Sequence, residues 1–332
     1  MQNRAFALRA GTWLALASLV TVLTGCSGAT SALPTAGSWE PSVQTDVHHQ
    51  KQLLFVSDNQ NNRVLVYNAA TTQQHPPPIR TISNGVHGPF GLATDKSGNL
   101  YIANSGSNTV TVYAPGASKP KMTIFTGLAG PFDVKVDGFG NIYVANDPPQ
   151  SLTAFIQLYP AGSSSPSYTW SAPSPGMVIS GLALLNSTQQ GQTAIYAPEY
   201  TVNGSGFATG NTLSCYPGNP TCGTLGYSFG QTGGAAIAQS PGGSKPFQWI
   251  AVDQYVPGVD IFTQGQLTGQ IVTGGTPEFV TLNSTGNKLY VANRFFNDVV
   301  EYSYPSGSQL NTFPAGGGQV YGVATFPAGT FH

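Results

Sequence analysis

Short runs of β-branched and aromatic residues alternate with Gly, Pro, Asn and Ser clusters from residue 51 onward, and no segment there has a convincing helical period. Such runs predict β-strands separated by turns. Twenty-five prolines spread along the chain also argue against long helices, because proline removes a helical hydrogen bond and clashes with the preceding turn. The pattern therefore predicts an all-β protein.

One strand–turn–strand pattern recurs along this region. In three copies, at 55–67, 101–113 and 290–302, an aromatic residue is followed three residues later by Asp or Asn, seven later by Asn and twelve later by Tyr. Three less regular copies lie between the second and the third. The equivalent polar positions are spaced by 40 to 54 residues and are Asp58, Asn104, Asn146, Glu199, Asp253 and Asn293. Six copies at this spacing predict a β-propeller.

A second strand-like run precedes most copies, as at 88–95 and 130–137. The first copy has no such run before it, and a last run at 320–326 has no copy after it. We therefore expect 320–326 to pair beside 53–67, because closing the ring hides the sheet edges that a β protein must protect. The predicted fold is an all-β, six-bladed β-propeller of four-stranded blades, closed by the C-terminal strand joining the N-terminal blade. Small residues fit innermost strands that crowd a common axis, at Gly91, Gly181, Ala236 and Gly322.

The two runs resemble the repeats of the NHL family of six-bladed propellers, whose blades carry P-x-G-h-A-h-D and then G-N-h-Y-V-A-D, where h is hydrophobic. PFGLATD at 89–95 and GNLYIAN at 98–104 follow both parts. The resemblance covers about 51–327 and weakens in the middle third. It implies a propeller domain at 51–329 but no particular activity, because the family includes ligand-binding modules, interaction domains and enzymes.

The first 25 residues have the features of an export signal. Arg4 and Arg9 provide a positive start, and residues 10–23 are mostly apolar but too few to span a bilayer comfortably. The stretch ends in Leu-Thr-Gly-Cys, which resembles the lipobox of bacterial lipoproteins. The resemblance implies that Cys26 becomes an acylated N-terminus, carrying chains such as palmitate, and anchors the protein to a membrane. An ordinary signal peptide followed by an incidental cysteine is the alternative.

Residues 26–50 are polar, contain proline and show no clear period, which predicts a flexible tether between lipid and propeller. No aspartate follows the cysteine to suggest retention at the inner membrane, since residues 27 and 28 are Ser and Gly. We therefore expect a lipid-anchored protein of the bacterial cell envelope, outside the cytoplasm and at the outer membrane more than the inner.

Charge is sparse along the whole chain. Only 8% of the residues are charged and the net charge is −1, so the sequence lacks the basic footprint of a nucleic-acid-binding protein. Low charge alone is typical of disordered chains, but 40% hydrophobic residues, with 17 Phe and 15 Tyr, leave enough to bury a core. Because a propeller closes within one chain, we expect a monomer.

Cys215 and Cys222 enclose a turn-forming loop with two prolines. In an exported protein this pair most simply forms a local disulfide. A metal-binding pair is the alternative, but no His lies between 88 and 331 to complete such a site. The preceding segment 200–212 is polar and predicts a long insertion, which either carries specificity or decorates the surface.

The six equivalent Asp, Asn and Glu positions allow two interpretations. Arranged in register around an axis, their oxygens could bind a hard cation. An Asp or Asn at a strand end more often accepts backbone N–H groups across the following turn, which the Asn four residues later completes. Because the pattern recurs in most blades, we favour the structural role.

Candidate ligand contacts come from the slot just before the small residue of each innermost strand. In the related gluconolactonase-like propellers, Glu, Asn and Asp residues occupy this slot and bind a divalent metal at the channel mouth. The matching residues are Phe90, Phe132, Ser180, Ala235, Glu278 and Tyr321, with Asp133 displaced by one. One or two carboxylates cannot build a calcium site without many waters, so we expect neither a metal nor a cofactor. The aromatic residues instead predict a channel mouth that binds a ligand or simply seals the channel by packing.

The sequence has no G-x-S-x-G elbow, phosphate loop or haem motif. His87 lies close to an innermost strand and could act there as a general base. We expect a non-enzymatic binding or interaction scaffold for an envelope protein, a glycan or a small ligand. Its candidate contacts are Phe90, Phe132, Asp133, Glu278, Tyr321 and His87. The alternative is a metal-dependent lactonase, hydrolase or lyase of the gluconolactonase-like type that uses Glu278, Asp133 and His87.

Overall fold

A computed structural model describes the chain at 51–148, 153–174, 176–187, 192–202, 208–225, 232–238 and 248–328. These residues form six antiparallel sheets arranged as a β-propeller, which confirms the predicted fold class. The described residues include one 3-10 helix, Ser105–Ser107, and no helix among them is long and apolar enough to cross a membrane. Cys26, the predicted leader at 1–25 and the predicted tether at 26–50 lie outside the described residues.

Blades 1, 2 and 3 are regular four-stranded sheets. Blade 1 contains β1 (Leu53–Asp58), β2 (Arg63–Asn68), β3 (Arg80–Ile82) and, at the axis, β25 (Val320–Phe326). Blade 2 contains, from the axis outward, β4 (Pro89–Thr94), β5 (Leu100–Asn104), β6 (Thr109–Tyr113) and β7 (Met122–Ile124). Blade 3 contains β8 (Pro131–Val136), β9 (Ile142–Asn146), β10 (Phe155–Tyr159) and β11 (Tyr168–Ser171).

Blades 4, 5 and 6 complete the ring. Blade 4 has its innermost strand in two parts, β12 (Met177–Ile179) and β13 (Ala183–Ser187). Its other strands are β14 (Gln192–Val202), β15 (Ala208–Cys215) and β16 (Gly223–Thr224). Blade 5 contains β17 (Thr232–Ala238), β18 (Gln248–Asp253), β19 (Gly258–Thr263) and β20 (Gln266–Val272). Blade 6 contains β21 (Pro277–Leu282), β22 (Lys288–Asn293), β23 (Asp298–Ser303) and β24 (Gln309–Pro314).

The ring closes between the two ends of the propeller, as predicted. β1 and β25 run antiparallel, with Leu53 opposite Phe326 and Asp58 opposite Val320. The innermost strand of blade 1 therefore comes from the last part of the chain, and its second strand from the first part. This pairing removes the two sheet edges that an open ring would expose.

The antiparallel strands give the ring two distinct faces. On one face lie the starts of the innermost strands and the turns that follow each second strand, such as 59–62 and 294–297. We call this the mouth face. The other face carries the turns between innermost and second strands, such as 95–99 and 137–141. We call this the base face.

Apolar side chains pack between neighbouring blades in six buried clusters, one for each blade interface. The Tyr that ends the repeat motif belongs to these interfaces in the first three blades. Its buried hydroxyl donates a hydrogen bond to a backbone carbonyl of the preceding blade or of the loop leading from it. These bonds join Tyr67 to Pro314, Tyr113 to Asn84 and Tyr159 to Thr126, over 2.6 to 2.7 Å. The tyrosine repeat thus links each of blades 1, 2 and 3 to the blade before it.

The repeated Asp and Asn residues bind backbone N–H groups, but the predicted partner, the turn that follows the strand, is found for only some of them. Asp58 and Asp253 accept backbone N–H groups of the turns that follow them. Asn104 and Asn146 instead accept an N–H from the loop that precedes their own innermost strand. Asn293 does both, since its Oδ1 accepts the N–H groups of Thr276, Phe295 and Phe296.

The Asn four residues later links consecutive blades. Asn62 and Asn108 both have a positive φ, of 51° and 53°, which Asn tolerates better than most residues. Asn62 Oδ1 accepts the N–H of Gly88 at 2.7 Å, and Asn108 Oδ1 accepts that of Gly130 at 2.6 Å. Each Asn therefore holds the loop at the start of the next blade.

Blade 4 departs from the pattern. The segment 200–212 was expected to be an inserted loop, but 200–202 and 208–212 belong to β14 and β15. These two strands pair from Ile195 with Cys215 to Val202 with Ala208, and β12 pairs with their extension at 199–201. The hairpin therefore continues onto the mouth face as a three-stranded extension of the blade. A polar composition hid this, because strands at a solvated edge need no apolar alternation.

Cys215 and Cys222 form the predicted disulfide. The loop that they close packs on blade 3, because the indole N–H of Trp170 donates to the carbonyl oxygen of Asn219 over 2.9 Å. The cross-link therefore fixes the outer part of blade 4 against its neighbour.

Candidate functional site

The three aromatic residues predicted at the channel mouth contact one another, although they come from three different blades. The ring centroids of Phe90 and Phe132 lie 4.8 Å apart, and those of Phe90 and Tyr321 lie 4.4 Å apart. The aromatic ring of Phe132 also lies 5.6 Å from that of Phe279, which is in blade 6 on the opposite side of the channel. All three mouth residues are only partly buried. They therefore cover the channel and still present part of their surface to solvent.

A β-bulge places these residues at the axis. In blade 2, Pro89 pairs with Asn104 but Leu92 pairs with Ile102, so the innermost strand has one extra residue at this point. Register shifts recur at the mouth end of the innermost strands of blades 1, 3, 5 and 6. Because a bulge leaves a residue out of the ladder and redirects its side chain, it can turn the slot residue toward the channel.

One of the predicted slots is wrong. Thr232 pairs with Asp253 and Ala235 pairs with Ala251, so Gly233 rather than Ala235 occupies the slot equivalent to Phe90. Apart from Ile237, residues 232–238 are small on both faces of the strand, and a pattern without apolar alternation does not specify the register.

Asp133 lies inside the channel and is fully buried. Its carboxylate lies 3.0 Å from the Lys135 ammonium and accepts the backbone N–H groups of Val134 and, from blade 4, of Leu182, each at 2.8 Å. Burial raises the pKa of Asp133, while Lys135 and the hydrogen bonds lower it. Lys135 Nζ is also 6.0 Å from the ring centroid of Phe279, across the channel. The Asp133–Lys135 pair therefore fills the channel, and a contact between Asp133 and a ligand stays a prediction.

Glu278 is buried at the mouth, and both its oxygens are engaged. Oε1 lies 2.8 Å from Arg294 Nε, and Oε2 accepts a hydrogen bond from the Gln254 amide over 2.8 Å. Arg294 Nη1 donates to the Tyr321 hydroxyl over 3.3 Å, and its guanidinium carbon lies 5.6 Å from the Tyr321 ring centroid. Glu278 and Tyr321, two of the predicted contacts, therefore hold Arg294 in place.

Arg294 and its two neighbours were missed by the sequence interpretation. In the turn after the second strand, blades 1 and 2 carry Asn-Gln-Asn and Ser-Gly-Ser, whereas blade 6 carries Arg294-Phe295-Phe296. Phe295 is 70% exposed and Phe296 54% exposed, and their ring centroids lie 5.1 Å apart. The signal was the contrast between copies, since a cation and two large apolar side chains replace small polar residues in an exposed turn.

A pocket of about 360 Å³ opens on the mouth face between blades 6 and 1. It is lined by Gln60, Thr276, Arg294, Phe295, Asn297 and Gln319. Its lining combines one cation, one aromatic ring and several amide groups, which together suit a ligand with polar or anionic groups and an apolar surface.

Two other titratable residues of interest lie on the mouth side. His87 is exposed, and its backbone N–H donates to Asn104 Oδ1. Glu199, at the repeat position of blade 4, is 3% exposed, and its Oε2 has no hydrogen-bond partner among the described residues. Within the described ranges, no three His, Cys, Asp or Glu side chains come together in a way that could hold a metal ion.

Replacing Glu278 by Gln is expected to change how stability depends on pH. Burial raises the pKa of Glu278 to about 7, against the opposing effects of Arg294 and Gln254. An unfolded Glu titrates near 4.3, so between about pH 4.5 and 7 the folded state holds more protons and the free energy of unfolding falls as pH rises. Glu278→Gln should remove up to about 3 kcal/mol of this fall, as measured by urea unfolding between about pH 5 and 8.

The same measurements are repeated in a protein that carries Glu199→Gln, because burial likewise raises the pKa of Glu199 to about 7. Measuring Glu278→Gln with and without that change separates the two carboxyl groups. Identical pH slopes with and without Glu278 would show that this carboxyl stays ionised across the whole range.

No family model and no curated protein matches this chain at significant similarity. Solved structures match it clearly. The crystal structure of a nidogen/laminin complex contains a chain with a TM-score of 0.60 and 14% identity, covering 82% of this chain and 98% of that one. Kuenenia stuttgartiensis hydrazine synthase matches with a TM-score of 0.56 and 17% identity, covering 76% of this chain and 80% of that one. A putative 6-phosphogluconolactonase from Bacteroides fragilis matches with a TM-score of 0.53 and 15% identity, covering 83% of this chain and 98% of that one. At these identities the likeness establishes the propeller fold.

Proposed function

We propose that this protein is a lipid-anchored, NHL-like propeller of the bacterial cell envelope that acts as a non-enzymatic binding module and takes its ligand on the mouth face. The observation that carries the proposal is the placement of Arg294. Glu278 and Tyr321 fix its guanidinium through Nε and Nη1 at the edge of the pocket. A guanidinium presents five N–H donors in a planar fork. No described residue accepts a hydrogen bond from Nη2, so Nη2 can bind a carboxylate, phosphate or hydroxyl group of a ligand.

The exposed aromatic residues support binding at the same place. Phe295 lines the pocket, Phe296 lies beside it, and Tyr255, in the equivalent turn of blade 5, is 68% exposed. Aromatic residues and arginine are the side chains most enriched at protein interfaces and at their energetic centres. A partner segment with an anionic group and an apolar side chain would use both the guanidinium and the rings.

The structural comparisons are consistent with this role and with others. The nidogen/laminin match shows that a ring of the same architecture occurs in a complex of two proteins. Since propellers host unrelated functions, the proposal depends on the mouth residues rather than on the fold.

Photo-crosslinking at the mouth tests the binding role. A photoreactive amino acid at position 295 of the full chain, in the source cells, should give a defined covalent adduct. Phe139 provides the matched position, because it is 65% exposed but lies in a turn of the base face. Arg294→Gln should reduce the adduct at 295 about tenfold or more, the effect of losing a charged hydrogen bond at an interface centre. Equal adducts at 295 and 139, or an adduct that Arg294→Gln leaves intact, would contradict the proposal.

The lipid anchor is tested separately at Cys26. We expect the N-terminal peptide of the mature chain to begin at Cys26 and to carry acyl chains, as mass spectrometry of the membrane fraction would show. Cys26→Ala should abolish acylation, since the thioether can no longer form. A mature chain that begins at another residue and carries no lipid would instead support the ordinary signal peptide.

An enzymatic role of the lactonase type is the second candidate. It is favoured by Glu278, whose raised pKa near 7 and position beside Arg294 suit a general acid or base at the mouth. Thermal unfolding with EDTA and then with calcium, magnesium, manganese or zinc tests it, because a metal bound only to the folded state raises the Tm in a saturable way. A shift that is lost in Glu278→Ala would support the enzyme and call for a screen of lactones and esters.

A further inference from the structure

The few charges of this chain are distributed unevenly around the ring. Residues 51–130, which form blade 2 and the outer three strands of blade 1, contain six Lys and Arg but two acidic residues. Residues 131–332 contain four Lys and Arg and nine acidic residues. The near-neutral total therefore conceals a positive segment, 51–130, with an excess of four charges and a negative segment, 131–332, with an excess of five.

Five of the six cations in the positive segment lie on the base face, where β1, β3, β5 and β7 begin. The sixth, Arg63, pairs with Asp58 at the mouth end of blade 1. We call the five the basic patch, and they are Lys51, Arg80, Lys96, Lys119 and Lys121. The patch is far from the proposed ligand site, because the mouth and base faces are opposite ends of the strands.

Hydrogen bonds hold two members of the basic patch in place. Arg80 Nη1 donates to the carbonyl oxygen of Ala117 over 3.3 Å, and Lys121 Nζ donates to Asn99 Oδ1 over 2.8 Å. Lys96 lies in the same turn as Asn99, and Lys119 follows Ala117 by two residues. The patch therefore spans the junction between blades 1 and 2.

One acidic residue, Asp95, lies among these cations, and its carboxylate is used within its own turn. Oδ1 accepts the backbone N–H groups of Ser97 and Asn99, both at 2.9 Å. Oδ2 accepts hydrogen bonds from the Asn99 amide and the Tyr101 hydroxyl. Lys51, Lys96 and Lys119 are exposed and none of them forms an ion pair within the described part of the chain.

An apolar hollow of about 180 Å³ lies at the centre of the patch. Lys51 and Arg80 stand on its rim, and its walls are mainly Leu53, Ile82, Leu100, Tyr113, Pro115 and Phe326. A hollow of this kind adds apolar contact to a surface whose main feature is positive charge.

The chain enters the propeller at this same place. Lys51 is the first described residue and directly precedes β1, so the 24 residues that separate it from Cys26 lead to the basic patch. A lipid on Cys26 would therefore hold the propeller by its base face.

We propose that the basic patch docks on the anionic phospholipid surface of the membrane to which the chain is anchored. This inference rests on the lipid anchor of the proposed function. Lys and Arg near an anionic membrane each strengthen binding by about fivefold, and the effect disappears within a Debye length of the surface. Five cations beside the tether keep the base face against the headgroups and turn the mouth face, with its pocket, away from the membrane.

The test measures which face of the propeller lies at the membrane. The full chain is labelled with a fluorophore at Ser118→Cys in the basic patch or at Gln319→Cys on the mouth face, and is bound to vesicles that carry a headgroup quencher. With phosphatidylglycerol in the vesicles, quenching should be several-fold stronger at position 118 than at 319. The difference should vanish in pure phosphatidylcholine or at about 0.5 M salt, where the Debye length falls to a few Å. The unsubstituted chain, treated in the same way, gives the background from native cysteines.

Two double variants with the same net charge provide the matched control. Lys96→Gln with Lys119→Gln removes two positive charges from the patch, and both side chains are exposed. Gln60→Glu with Gln319→Glu adds two negative charges on the mouth face, at positions that are also exposed. The first variant should reduce the docked population, read from quenching at 118, by about tenfold or more, and the second should leave it unchanged.

Equal quenching at 118 and 319, equal effects of the two double variants, or a chain that does not bind anionic vesicles at all would each overturn the docking. The anchor is judged independently, from the mass of the N-terminal peptide. If that peptide carries no lipid, the anchor fails while the quenching on anionic vesicles still decides whether the basic patch docks.

Discussion

A chain that ends after Gly318 is expected to lose cooperative folding. The deletion removes β25, the innermost strand of blade 1, and with it the buried residues Val320, Val323 and Ala324. β1 would keep β2 but lose its partner on the axial side, and the cores on both sides of blade 1 would open. The loss of the strand and its packing exceeds about 5 kcal/mol, which is comparable to the whole stability of an ordinary domain.

Urea unfolding followed by circular dichroism and by Trp fluorescence tests this expectation. A chain that lacks only 329–332 is the control, because it keeps every residue of β25, and it should unfold like the parent. Coincident, sharp transitions in the chain ending at Gly318, with a midpoint near that of the parent, would show that the ring does not depend on its closing strand.

Gly322→Ala is expected to destabilise the propeller by about 3 kcal/mol. A Cβ at this position would overlap the carbonyl oxygen of Phe90 and press on Gly91, so two innermost strands would have to separate at the axis. Neither atom is the end of a flexible side chain, and the backbone of a closed ring has little freedom to move.

Gly269→Ala is the matched control in the outermost strand of blade 5. A Cβ there would meet the Ile261 side chain at 3.6 Å, an ordinary contact, and the expected change is within about 0.5 kcal/mol. Equal Tm values for the Gly322 and Gly269 variants would show that the innermost strands are not packed as tightly as their geometry indicates.

The fold could be predicted because its determinants are local and repeated. An aromatic residue, an Asp or Asn, a second Asn and a Tyr recur at fixed spacing, and Tyr67, Tyr113 and Tyr159 perform the same task in three blades. Where those determinants are missing, the prediction weakens. The predicted register of 232–238 was wrong because Gly and Ala do not distinguish the two faces of a strand.

The candidate site could be predicted only in part. Phe90, Phe132 and Tyr321 were expected to meet because equivalent positions on equivalent strands point toward one axis. The pairing of Glu278 with Arg294 could not be predicted from the sequence, since Glu278 lies at the bulge of β21 and Arg294 lies in the turn that follows β22. The burial of Asp133 depends on a backbone N–H from blade 4, which no sequence pattern within blade 3 predicts.

The pairing of Leu53 with Phe326 brings the two ends of the propeller together on the base face. A short linker could therefore join them, and new termini could be opened in any exposed turn to give a circularly permuted protein with the same six blades. The same geometry means that a protein fused after residue 328 would start close to the beginning of β1, on the base face. A reporter meant to leave the mouth accessible would thus be attached at the C-terminus, and one meant to block it would be inserted in the turn at 294–297.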